Sequence, residues 1–198
     1  MSKRSAGLKS FWIAAIALFA MLPYGGAASA HAYSAGYSTL TIAKSEIRLE
    51  YTIDELSVIE WAGGDVNGDF MLDPAEFEAV KDSFAAILKE HLTLKTGGSE
   101  LPWSRIESYR LERKGDASDV VLELAYPALS DDGTISLSDK LYADDRKTNY
   151  VDLLTVKYGS SQSTAALSGK DRTWSLRMTD EEYASLPRGP AAADNAEP

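Results

Sequence analysis

The chain has 198 residues, of which 44% are apolar and 25% charged; it contains no Cys and carries a formal charge of −10. That composition suits one globular domain with a sizeable core. It excludes disulfides and cysteine-based metal or catalytic chemistry, and so acidic a balance disfavours nucleic acid and anionic membrane surfaces, which need a basic face.

Residues 1–30 read as a secretory signal peptide. Lys3, Arg4 and Lys9 form a positive start, Phe11 to Leu22 is an apolar run too short to span a membrane, and "GGAASA" offers small residues for cleavage near Ala30. The expected location is therefore secreted or extracytoplasmic. Three of the 20 Lys and Arg lie in this segment and none of the 30 Asp and Glu, so the remainder holds 17 against 30, a charge of −13. Such a balance suits divalent cations.

From Tyr37 the pattern alternates. "YSTLTIA" and "EIRLEYTI" are joined by a tight break, with Ile47, Leu49, Tyr51 and Ile53 on one face, which predicts a β-hairpin. Asp54 is placed to cap a short helix over "ELSVIEW", and Gly63-Gly64 ends it. A longer helix is predicted from Pro74 to His91, with Phe77, Val80, Phe84, Ile87, Leu88 and His91 on one face. Short strands follow at about 105–113, 120–126, 134–137, 150–158, 163–167 and 173–177, separated by turns such as "KGDAS", "SDDG" and "YGSS". Many short strands with one helical excursion predict a mainly β fold. The expectation is an Ig-like antiparallel β-sandwich over 31–180, with an EF-hand-like loop and helix inserted at about 54–92. Residues 181–198 read as a disordered acidic tail or linker.

Between the two helices lies "DVNGDFMLDPAE". An EF-hand loop supplies oxygens at its positions 1, 3, 5, 7, 9 and 12, because Ca²⁺ takes six to eight hard oxygen ligands. Here those positions are Asp65, Asn67, Asp69, Met71 (through its backbone carbonyl), Asp73 and Glu76, with Leu72 as an apolar plug. Position 6 is Phe70, where Gly is expected because the loop turns sharply with φ > 0. A purely structural account covers part of this stretch: Asp73 as N-cap, Pro74 in the first turn and Glu76 as the third residue make a capping box. It leaves Asp65, Asn67 and Asp69 unexplained. "SDDGTISLSD", from Ser130, lacks the first ligands and reads as a hairpin turn.

If cleavage follows Ala30, His31 becomes the first residue, and its amine and imidazole together form a chelate that favours Cu²⁺. Cleavage after Ala32 removes it. His91 reads as a packed or capping side chain, and Trp61, Trp103 and Trp174 as packing residues. No nucleophile, zinc or phosphate-loop motif is present, so no enzymatic activity is expected.

The order of a signal peptide, "HAYSAGYS", a hairpin, a D-x-N-x-D loop opening a helix and then "LYADDRKTNYVDLLTVKYG" resembles the exported N-terminal domain of HupE/UreJ-like proteins, over residues 31–178. In that family the domain precedes a multi-helix membrane part associated with metal transport. No apolar segment follows before Pro198, so a stand-alone relative and a fragment both stay open, and transport does not carry over. The resemblance implies a metal-linked role for Asp65, Asn67, Asp69, Asp73, Glu76 and His31. The expected function is thus a secreted, non-enzymatic Ca²⁺-binding domain with a structural site. The alternatives are a copper- or nickel-handling domain that uses His31 and serves a membrane transporter, and a metal-free interaction module. The expected partners are a calcium ion and a membrane or cell-surface protein, and not nucleic acid.

Overall fold

The computed structural model describes residues 35–115, 117–129, 133–144, 149–170 and 172–189. The proposed signal peptide and His31 lie outside them, as does most of the "SDDG" turn. The elements run β1 (Ala35–Ile42), β2 (Ile47–Asp54), α1 (Glu55–Ala62), α2 (Pro74–His91), β3 (Leu92–Thr96), β4 (Ser99–Glu100), β5 (Arg105–Lys114), β6 (Ala117–Tyr126), β7 (Thr134–Asp139), β8 (Val151–Tyr158), β9 (Ser161–Ser168), β10 (Thr173–Arg177) and α3 (Asp180–Ser185). The fold is mainly β, with two sheets: β5-β6-β2-β1-β8-β9 and β10-β7-β3-β4. Among the described residues no helix is long and apolar enough to cross a membrane.

The hairpin forms as the alternation dictates. Ile42 sits opposite Ile47 and Leu40 opposite Leu49, and the face carrying Ile47, Leu49, Tyr51 and Ile53 is fully buried. Val120, Leu122 and Leu124 of β6 and Leu154 and Val156 of β8 extend this face. Leu92, Leu94, Ile135 and Leu137 of the second sheet close one shared core with it, joined by Phe77, Val80, Phe84 and Leu88 from α2. Ile87 and His91, expected on the same stripe, are only half-buried.

Three features differ from the sequence expectation. The larger sheet is not wholly antiparallel: β1 runs parallel to β8, with Ala35 opposite Val151 and Ile42 opposite Tyr158. A parallel pair needs a long crossover, and here everything between β1 and β8 serves as one. Next, β3 begins at the residue after α2, where no strand was expected before about residue 105; "LTLKT" alternates buried and half-buried positions. Finally, ordered structure continues past 180. Thr179 and Glu182 form a capping box for α3, Leu186 is buried, and the N–H groups of Lys44 and Ser45 donate to the carbonyls of Pro187 and Arg188. These contacts tie the segment to the β1–β2 turn, inside the stretch read as a tail.

One end of the core is polar. The Tyr51 and Tyr150 hydroxyls lie 2.7 Å apart and both donate to Asp139 Oδ2. Asp139 Oδ1 accepts the Leu141 N–H, and Ser38 donates to Asp152 Oδ2 at 2.8 Å. Asp139 and Asp152 are both fully buried. Burial, reinforced by the neighbouring Asp139 charge, pushes the Asp152 carboxyl up to about 7. An acid raised in the folded state contributes stability that is fully present below the unfolded value near 3.8 and is lost as pH rises to about 7. Wild type should lose up to about 2–3 kcal/mol between pH 5 and pH 7, and Asp152→Asn should flatten that dependence and be the more stable protein at pH 8. Urea unfolding at each pH measures both.

Candidate functional site

The acidic stretch is built from both helices inward. Asp54 caps α1 by accepting the Ser57 N–H, and Gly63 ends the helix at φ 73°. Gly64, at φ 100°, passes so close to α2 that a Cβ there would fall 2.1 Å from Val80 Cγ1. Only glycine lets the chain enter the loop along this path.

Within the loop, side-chain oxygens capture backbone N–H groups in sequence. Asp65 Oδ1 accepts from Gly68 and Asp69, and its Oδ2 from Phe70. Asn67 Oδ1 accepts from Asp69 at 2.9 Å, and Asp69 Oδ1 from Met71 at 2.9 Å. Phe70 adopts φ 64°, the left-handed turn that the sixth position demands. The ring gains nothing in return, since the residue is 71% exposed. Among the described residues the other non-glycine at positive φ is Tyr142.

Glu76 closes the loop from α2. Its Oε1 accepts the Val66 N–H at 2.8 Å, and its Oε2 accepts the Asp73 N–H at 2.9 Å. Asp73 Oδ1 accepts from Ala75 and Glu76, so the capping box is present. The helix-start account is therefore realised, and Glu76 also bonds back into the loop through the Val66 N–H. None of Asp65, Asp69, Asp73 and Glu76 has an ion-pair partner among the described residues. Nor do three or more His, Cys, Asp or Glu side chains there gather into a group able to hold a metal.

Leu72 is fully buried, as an apolar plug should be. Its backbone is held by two residues the sequence did not single out. Its N–H donates to Glu55 Oε1, and Arg113 Nη2 donates to its carbonyl at 2.7 Å. Arg113 also pairs with Glu55 at 3.1 Å. The lone loop thus uses a buried carboxylate from α1 and a guanidinium from β5 to satisfy its eighth residue. Glu55 lies in the first turn of α1, where an acidic residue is ordinary; its burial is what distinguishes it. His91 packs as read: its ring lies tilted against Trp61 with centroids 5.0 Å apart, and the Trp61 ring also meets Tyr142 edge-on at 5.3 Å. Trp61, Trp103 and Trp174 all pack against the core.

Glu55→Ala should strand the buried Leu72 N–H and lower stability by about 1–3 kcal/mol. Arg113→Ala should cost a similar amount, and the double variant less than the sum, because the pair acts on one residue. Denaturant unfolding of the three variants provides the cycle.

Comparison of the sequence with protein-family models gave no match, and comparison with curated proteins gave none either.

Proposed function

We propose that this chain is a secreted, non-enzymatic domain that binds one Ca²⁺ through the loop from Asp65 to Glu76, with a structural role. One observation supports it most: four carboxylates share a single loop, and none is paired with a cation among the described residues. Like charges held within one loop repel, and a divalent cation would reduce that cost. The N–H bonds to Asp65, Asn67 and Asp69 fix these side chains without exhausting all of them: Asp65 Oδ1 takes two N–H groups, but Asp65 Oδ2, Asn67 Oδ1 and Asp69 Oδ1 each take one and keep a second lone pair. Glu76, tied to the loop at both oxygens, is the ligand suited to bidentate binding. The structural role is supported by Leu72, through which the loop connects to the core.

The Ig-like sandwich belongs to the same proposal, supported by two sheets that share one core. A membrane or cell-surface partner is proposed on the resemblance to HupE/UreJ-like exported domains. A second reading, the metal-free interaction module, is favoured by Val66, Phe70 and Met71, which stand exposed on the same loop. Copper or nickel handling through His31 is a separate proposal, tested by the N-terminal sequence of the exported protein.

The test is a thermal melt with EDTA and with millimolar CaCl₂. At the affinity of extracellular modules, about 10⁻⁴–10⁻³ M, calcium should stabilise wild type by roughly 0.5–2 kcal/mol. Asp69→Asn is the informative variant. It keeps an oxygen for the Met71 N–H and removes the charge, so its stability in EDTA should stay within about 0.5 kcal/mol of wild type while the calcium response disappears. Glu76→Gln should lose about 1–3 kcal/mol even in EDTA, because an amide offers one acceptor oxygen where the loop directs N–H groups at two. A wild-type melting temperature that calcium leaves unmoved, with no heat of binding, overturns the proposal in favour of the interaction module.

A further inference from the structure

A cleft of about 970 Å³ opens beside the polar end of the core, on the opposite side of His91 from the acidic loop in sequence. It is bounded by the end of α2, the turn after β7, the start of β8 and the β9–β10 turn. Its size is that of a small-molecule site. Its charge contrasts with the rest of the chain: among its described lining residues Lys140, Lys170 and Arg172 are cationic and only Asp144 is acidic, in a protein whose formal charge is −10. Neither lysine has an ion-pair partner among the described residues.

Arg172 gives the cleft its chemistry. It is 4% exposed and held from two sides: Nε donates to the Asp139 carbonyl at 2.8 Å, and the guanidinium lies 4.6 Å over the Tyr150 ring. The Asp139 N–H returns a bond to the Arg172 carbonyl. Nη2 is buried and has no hydrogen-bond partner among the described residues. A guanidinium donor withdrawn from water and left unbonded is costly, although Asp139 and Asp152 lie near enough for their carboxyls to feel its charge. Neither carboxylate bonds to it among the described residues. The fork is therefore oriented in advance, with donor capacity unused, and a planar oxyanion is the partner that fits such a fork.

We propose that this cleft binds a small polar anion whose carboxylate or phosphate group is received by Arg172, with Lys140 and Lys170 supplying attraction from the rim. The site is separate from the acidic loop, and its occupation does not depend on calcium. The exposed lysines draw the anion in through long-range attraction, which salt weakens; Arg172 supplies the directional bonds.

The probes are malate and inorganic phosphate, titrated calorimetrically into the purified protein in metal-free buffer without added chelator, with chloride at matched ionic strength as reference. Saturable binding of either probe, weakened at least tenfold in the Lys140→Ala/Lys170→Ala double variant, supports the proposal. Saturation by malate alone assigns a carboxylate ligand, and by phosphate alone a phosphate ester. Arg172→Lys keeps the charge and removes the fork, and should weaken binding by a similar factor. If that buried change prevents folding, the double lysine variant still decides, since both of its side chains are exposed. Absence of saturable binding by both probes, or unchanged affinity in the double lysine variant, overturns the proposal.

Discussion

The acidic loop is part of the fold because Leu72 is buried. A loop rich in carboxylates has every electrostatic reason to stay in water, and most of it does. At its eighth residue a single apolar side chain enters the core, and its peptide groups must then find partners away from solvent. Glu55 and Arg113 provide them from two different elements. That one requirement ties α1 and β5 to the loop just before α2, while Val66 through Phe70 stay exposed. The buried Glu55 in turn is compensated by the Leu72 N–H and by Arg113.

The same stretch carries two kinds of chemistry without conflict. The capping box of α2 uses Asp73 Oδ1 and Glu76 Oε2, while the loop uses Glu76 Oε1 through the Val66 N–H. Stabilising the helix start thus positions the carboxylate that a cation would need most. This sharing has an energetic side: an N-cap and its reciprocal bond are worth about 1 kcal/mol, which is comparable to what a weakly bound ion adds at millimolar concentration. The loop's shape is held by its own hydrogen bonds. Phe70 at positive φ is consistent with that; its conformation is imposed by the N–H bond to Asp65 and not by any packing of its ring.

The sequence disclosed what local periodicity encodes. The alternation of Ile47, Leu49, Tyr51 and Ile53 marked a buried strand face, and the 3.6-residue spacing from Phe77 to Leu88 marked α2. The loop was legible because its side chains recur at every second position over a short span. Features built from distant partners were not. Glu55, Leu72 and Arg113 meet across 58 residues, and Ser38 and Asp152 across 114; no pattern within either segment indicates the other. One trace was present: Asp139 follows Ile135 and Leu137 at even spacing, and Asp152 precedes Leu154 and Val156 in the same way. Each therefore points to the apolar face of its strand. A charged residue on a buried face requires a polar neighbourhood, here the two tyrosines, Ser38 and Arg172. β3 escaped notice because it starts at the residue that caps α2, with no turn residue between them to mark the change of period.

The parallel pairing of β1 with β8 bears on the order in which the molecule assembles. β1 and β2 meet across a four-residue turn and can pair on the microsecond scale of a hairpin. The other edge of β1 has to wait for a strand that begins at Val151. Closing so long a loop is entropically expensive, and sheets that depend on such contacts fold slowly. Until β8 arrives, β1 presents an unsatisfied row of backbone donors and acceptors flanked by Leu40 and Ile42, the kind of edge that recruits other chains. The first strand of the domain is thus among the last to be completed, and the window in which this protein is vulnerable to aggregation is set by the time its eighth strand takes to arrive.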